Sequence, residues 1–262
     1  TGFEPSVAKQ ILEGMASAEP NLSVRYKTTV TEVVNDALNN QRVVGVKTSD
    51  PNGPQTLSGK VIVDATEFGD VIKLAGATYR LGRESYSQTQ EPHALGGPEN
   101  TETGFDQTYK SDNRVQPLTY LLPLRKFDVT LPGTPPPGYD QSKYEVPWEF
   151  YDKFLPSSQL INSWDDDPLT AAKDGFIQYG WMPDSSKTDP VGGHTSFFLN
   201  WPNFGNDLAE VEYIEKSPQE RQAVFVQAKD HTLGFWHFIK QNVPETASWG
   251  IDEGEFPTSD KL

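Results

Sequence analysis

The stretch Val61-Ile-Val-Asp-Ala-Thr-Glu-Phe-Gly-Asp70 decides the reading of this chain. Three consecutive apolar residues run into a turn of small and polar residues, and helical spacing then resumes at Phe68, Val71, Ile72, Leu74 and Ala75 until Gly76 ends it. An unbroken apolar run of this kind predicts a strand covered on both faces. Small residues at the carboxyl end of such a strand let phosphate or ribose approach the backbone, and the helix that follows offers unpaired N–H groups. The turn is a candidate nucleotide site, with an ordinary strand-to-helix connection as the alternative.

Upstream lies a strand-rich block. Leu22–Tyr26, Thr29–Val34, Arg42–Thr48 and Thr56–Asp64 alternate with turn residues at Asn35-Asp36, Asn39-Asn40 and Asp50-Pro-Asn-Gly53, the pattern of a β-meander. Before it, Pro5 opens a helix with Val7, Ala8, Ile11, Leu12 and Met15 on one face, and Pro20 stops it. Downstream, from about residue 81 to 144, Gly, Pro, Asn, Thr and Ser dominate. Pro117–Leu124 interrupts them as a short edge or buried strand. A helix is expected over 148–164 and strands over 175–181 and 194–200. The last clear element is a long helix over 218–241, opened by the capping box Ser217-Pro-Gln-Glu220 with proline at its first position. The fold class is α/β (α+β): a partial nucleotide domain over 1–80 with a meander and a strand-turn-helix, then a mixed substrate or cap domain over 81–262.

Composition closes several doors. The 262 residues carry 22 Lys+Arg against 37 Asp+Glu, a formal charge of −15, which opposes binding to nucleic acid or anionic lipid. The absence of cysteine excludes disulfides, thiolate metal sites and a Cys nucleophile. No apolar run reaches the roughly 20 residues that span a bilayer, and the N-terminus lacks a signal-peptide layout, so a soluble chain is expected with its compartment open. No Gly-x-Ser-x-Gly, His-Glu-x-x-His or Walker sequence occurs.

The segment Val63-Asp-Ala-Thr-Glu-Phe-Gly-Asp-Val-Ile-Lys-Leu-Ala-Gly-Ala-Thr-Tyr-Arg-Leu-Gly-Arg-Glu-Ser85 resembles the FAD-dependent oxidoreductase family, of the glutathione-reductase type. Asn200-Trp-Pro-Asn-Phe-Gly-Asn-Asp207, the Ser217 helix and Trp249-Gly250 are similar to the same family, in the same order. The resemblance implies FAD as cofactor and hydride transfer between an organic substrate and flavin. It implies main-chain contact of the adenine with the strand around Val30, and of the phosphate-ribose portion with Ala65, Thr66, Glu67, Gly69 and Asp70. One departure stands out: the Gly-x-Gly-x-x-Gly turn that such proteins carry ahead of these elements is not in this sequence. The chain is therefore expected to be an internal piece of a longer flavoenzyme, inactive alone, with the remainder of its parent chain as partner.

Asn200, Trp201, Asn203, Asn206 and Asp207 bring amides and a carboxylate beside aromatics, the mixture that suits a polar organic substrate; a well-bonded surface turn is the alternative. Among four histidines, His194 is the candidate acid-base group, at the start of a strand leading to that cluster. His231 and His237 lie on different faces of the long helix, and His93 lies in a loop. Asp165-Asp-Asp167 lacks the alternating spacing of a calcium loop, and no metal is expected. A second reading is a cofactor-free module that stacks exposed Trp and Tyr on carbohydrate or peptide.

Overall fold

Polar residues at the breaks between strands take up backbone amides, and this organises the first part of the chain. In the computed structural model, which describes residues 5–99, 115–144, 196–199, 206–208, 212–242 and 246–255, strands β1 (Thr29–Asn35), β2 (Val43–Asp50) and β3 (Gly53–Ser58) form an antiparallel meander in sequence order. Asp50 pairs with Gly53 across the second turn, and its Oδ1 accepts the Asn52 N–H at 2.7 Å. At the first turn Asp36 Oδ1 accepts from Leu38 N at 2.8 Å and Asn39 Oδ1 from Gln41 N at 3.2 Å. These are Asx turns, which hold the chain reversal by local bonds alone. Helix α2 (Asp70–Leu74) packs against β1 and buries Val71. Beyond it, α3 (Tyr86–Thr89) sits in a loop closed by a parallel bridge between Ser85 and the buried Leu95.

Of the strands expected in this block, one does not form and another is cut short. Residues 22–26 are irregular, and the strand expected over 56–64 ends at Ser58. Gly59 N–H makes the last bond to the sheet, to Val44 O at 3.0 Å, and the chain then leaves the ladder. Val61 and Val63 are consequently 78% and 79% exposed, although their run reads as doubly covered. The apolar pattern states what would be gained under a covering layer, and none of the described residues supplies that layer.

Contacts gather the chain into two units, Met15–Arg114 and Thr1–Gly14 with Val115–Leu262. Helix α1 (Pro5–Ala18) buries none of its side chains, so its apolar face, with Ile11, Leu12 and Met15, is exposed. Its first turn is held by Glu255, whose carboxylate accepts the Ser6 N–H at 2.9 Å and the Ser6 hydroxyl at 2.6 Å, a favourable charge for a helix start.

In the larger unit the core is built on helix α4 (Pro218–Asn242) and strand β5 (Leu122–Lys126). β5 is the middle of an antiparallel sheet, with β6 (Ser196–Leu199) and β8 (Trp249–Ile251) on its flanks. Leu122, Leu124 and Leu199 from this sheet are fully buried, as are Phe235, Phe238 and Ile239 nearly or wholly so on the helix. The apolar segment expected as one strand over 117–124 is divided: β4 (Leu118–Thr119) pairs with β7 (Asp207–Leu208), and the chain breaks at Tyr120-Leu121 before entering β5. The helix start is the expected capping box, with the Ser217 hydroxyl and N–H donating to Glu220 Oε2 at 2.7 and 2.9 Å and the Glu220 N–H returning to Ser217 Oγ at 3.3 Å. Expectations over 148–164 and 175–181 lie outside the described residues, as does the start of the strand expected over 194–200.

Buried polar groups on α4 are matched to carbonyls. Arg221 donates to Tyr213 O and Ile214 O, each at 3.1 Å, and Lys240 Nζ donates to Trp249 O at 2.7 Å, Thr246 O at 3.1 Å and Ala247 O at 3.3 Å. His237 is the exception. It is 5% exposed, its Nδ1 has no hydrogen-bond partner among the described residues, and it meets the Tyr139 ring edge-on at a centroid distance of 4.6 Å.

Burial holds the His237 imidazole below its ordinary value of 6.5. The unfolded chain takes up a proton near that pH which the folded chain refuses, so this contribution to stability is complete above 6.5 and declines as the pH falls below it. Urea midpoints at pH 7.5 and 5.5 should drop more for the native protein than for His237→Phe, which lacks the titrating group. Equal drops would show that His237 is not the group responsible. Truncating the fully buried Leu124 to Ala should cost about 2–5 kcal/mol, read from the same curves.

Candidate functional site

The turn Asp64–Asp70 folds around one carboxylate. Asp64 Oδ1 accepts the Thr66 N–H at 2.9 Å and the Thr66 hydroxyl at 2.8 Å, while Oδ2 accepts the Ile72 N–H at 2.8 Å. Thr66 Oγ1 in turn accepts the Asp70 N–H at 2.8 Å. Gly69, with φ of 67°, takes the left-handed conformation that brings the chain from the turn into α2. The amides of Asp70 and Ile72, which the sequence offers to an anionic ligand, are thus taken by Thr66 and Asp64. Ala65, Thr66 and Glu67 remain exposed, and Gly69 and Asp70 are half-buried. Partial burial of Asp64 pushes its carboxyl up, but the hydrogen bonds from Thr66, Ile72 and Val71 outweigh that and hold it below its usual 3.8. Val30 lies in β1, opposite Thr48 of β2.

The second cluster divides in two. Asn206 is fully buried, and its amide donates to Tyr120 O at 2.9 Å and Leu199 O at 3.2 Å, so this residue expected to face a substrate bonds the chain to itself. Its neighbour Asp207, in β7, accepts a hydrogen bond from the Thr119 hydroxyl and lines a cavity of about 680 Å³. His194, Asn200, Trp201 and Asn203 lie outside the described residues. Of the other histidines, His93 Nε2 lies 3.1 Å from Glu99 Oε2 on the exposed surface, and His231 lines the cavity. Among the described residues no group of three His, Asp or Glu side chains is placed to hold a metal ion.

The cavity also presents Tyr139, Asp140 and Tyr144 from the segment after the proline-rich stretch, and Asp230 and His231 from α4. Tyr144 is 3% exposed and donates from its hydroxyl to His231 O at 3.0 Å. Burial, with the neighbouring Tyr139, Asp140 and Asp230, pushes its phenol up to about 12, so it stays neutral. Its ring stacks on Tyr139 with centroids 5.9 Å apart and planes 11° from parallel. A Cβ at residue 234 would fall on the Tyr144 hydroxyl, so glycine there is what seats the ring against the helix. Tyr139, Asp140, Tyr144 and Asp230 belong to no motif in the sequence. One signal for them existed. Positions 223, 226, 227, 230 and 231 recur at helical spacing as a stripe on α4, along which the apolar Ala223 and Val226 are exposed.

A family model described as FAD dependent oxidoreductase matches residues 1–260, and the chain belongs to that family. No curated protein matches the chain, and no solved structure does. Family membership makes FAD the cofactor and flavin-dependent oxidation-reduction the activity. No described helix is long and apolar enough to cross a membrane.

Because the Asp64 carboxylate fastens the turn to α2, Asp64→Ala should cost about 1 kcal/mol of stability at neutral pH. The folded carboxyl titrates below 3.8, so its contribution is present above that pH and disappears as the pH falls through the lowered folded value. Urea titrations at pH 7 and in strong acid should therefore show the gap between variant and native protein closing. A gap that persists in acid would mean the charge is not what holds the turn.

Proposed function

We propose that this member of the FAD dependent oxidoreductase family contributes the hydroxyl-binding part of the dinucleotide site, through Val30 and the turn Ala65, Thr66, Glu67, Gly69 and Asp70. The observation that carries the reading is the occupancy of the α2 amides by Asp64 and Thr66. With those donors taken and carboxylates at 64, 67 and 70, the turn suits a neutral partner rich in hydroxyls and disfavours a diphosphate. The ribose of FAD is such a partner, and the exposed Glu67 carboxylate is an acceptor for it. The diphosphate then belongs on a Gly-x-Gly-x-x-Gly turn contributed by polypeptide beyond this sequence, and the exposed Val61 and Val63 suit burial against that same polypeptide.

The reaction under this reading is hydride transfer between a carbon of a small organic substrate and the flavin. Bound FAD supplies the two-electron acceptor or donor chemistry, and the chain supplies binding and orientation. Asn200, Trp201, Asn203 and Asp207 are the substrate-facing residues, and His194 is the acid-base candidate. Placement of Asp207 on the cavity wall supports its part in this set; Asn206 has a packing role instead. The alternative of a cofactor-free stacking module finds no support in the family match.

A polypeptide carrying these residues together with a Gly-x-Gly-x-x-Gly segment should purify yellow. Glu67→Ala should raise its Kd for FAD by about tenfold, the loss of one hydrogen bond to a charged group, measured by quenching of flavin fluorescence. An unchanged Kd would remove the turn from the cofactor site.

A further inference from the structure

The cavity between α4 and the 136–144 segment has a chemistry of its own. Its volume, about 680 Å³, is that of a small-molecule site. Tyr139 and Tyr144, stacked with ring planes 11° apart, give it an aromatic wall, and Val226, 43% exposed, gives it an apolar one. Three carboxylates, Asp140, Asp207 and Asp230, line it against one ammonium, Lys143. Lys143 interacts with Asp140, three residues before it, and Asp207 accepts from Thr119. Asp230 is half-buried and has no hydrogen-bond or ion-pair partner among the described residues.

From this arrangement we infer that the cavity is a binding site for a small organic cation, an ammonium group carrying an aromatic or aliphatic body. The ammonium is held by Asp230, with Asp207 in the same lining, and the body lies along Tyr139 and Val226. The charge balance selects against an anion, which would meet two carboxylates beyond the one that Lys143 offsets. A neutral ligand would leave Asp230 partly desolvated with nothing in exchange. Aromatic faces favour a cation for a separate reason: the ring quadrupole is negative above and below the plane. Tyr144 cannot turn the site anionic, because its hydroxyl is fixed on His231 O and keeps its proton. The whole site lies within one unit of the chain and needs no flavin, so it stands or falls independently of the cofactor reading.

The test is calorimetric titration of the full chain with benzylamine, beside benzyl alcohol and benzoate, which keep the ring and change the charge. Saturable binding of benzylamine alone is expected, with a Kd on the order of 1 mM or tighter and weakening with added salt. Asp230→Asn should raise that Kd about fivefold. Val226→Trp, which fills the cavity from an exposed position, should abolish binding while leaving the far-ultraviolet circular dichroism unchanged. Binding of benzoate or benzyl alcohol as tight as that of benzylamine would overturn the assignment. So would an Asp230→Asn affinity equal to that of the native chain, or the absence of saturable binding to benzylamine.

Discussion

The Tyr120 carbonyl is the constraint on which the larger unit depends. It lies where β4 gives way to β5, at a half-buried residue that neither ladder pairs, and a carbonyl drawn from water without a donor is costly. Asn206 Nδ2 donates to it at 2.9 Å, and the Thr232 hydroxyl donates at 3.2 Å. The same Asn206 amide reaches Leu199 O at the end of β6, and Thr232 also donates to Asn206 O at 3.4 Å. One polar node therefore fixes the strand break, the end of β6, the start of β7 and the middle of α4. With Asn206 pinned, the next two residues are delivered into β7, where Asp207 meets both Thr119 and the cavity. Both Asn206 and Thr232 are fully buried, so the node is inaccessible to any ligand.

Cations and anions divide the work in an acidic chain. Two positive side chains of α4, Arg221 and Lys240, are committed to backbone carbonyls, one at each end of the helix. They close the segments that approach the helix, 213–214 and 246–249, where those carbonyls would otherwise be left bare. Lys240 also lies over the Trp236 ring, 5.5 Å from its centroid, and burial lowers its pKa. With these cations used internally, carboxylates outnumber ammonium groups in the cavity lining, where Asp140, Asp207 and Asp230 stand against Lys143. Asp64 is the converse case, a carboxylate used structurally to close amides at the start of α2. Its neighbour Glu67 stays exposed.

These commitments shape what the turn and the cavity can do. At the turn the anion position of the helix is filled by the chain's own carboxylate, so the Ile72 amide is not offered to a phosphate. In the cavity the stacked tyrosines each have a contact of their own that restricts the ring: Tyr144 with His231 O and the space at Gly234, Tyr139 with the His237 ring.

Elements whose determinants are local were legible in the sequence. The Asx turns of the meander, the proline start of α1, and the Ser217–Glu220 capping box are each set by residues within a few positions of one another, so residue type and spacing were sufficient. The resemblance of the Val63–Ser85 segment was legible for the same reason, as a contiguous motif, and the family match over residues 1–260 agrees with it. What depended on distant partners was not. Val61–Val63 reads as a covered strand because its pattern encodes only a tendency to be buried, and whether a layer covers it is a property of the fold. The break at Tyr120-Leu121 and the burial of Asn206 rest on bonds spanning 86 and 112 residues. The cavity likewise joins residues from 136 to 231. Sequence by itself determined the local elements and the cofactor class; tertiary structure decided which polar groups bond the chain and which face a ligand, because burial and partnership are set by segments that meet only once the chain has folded.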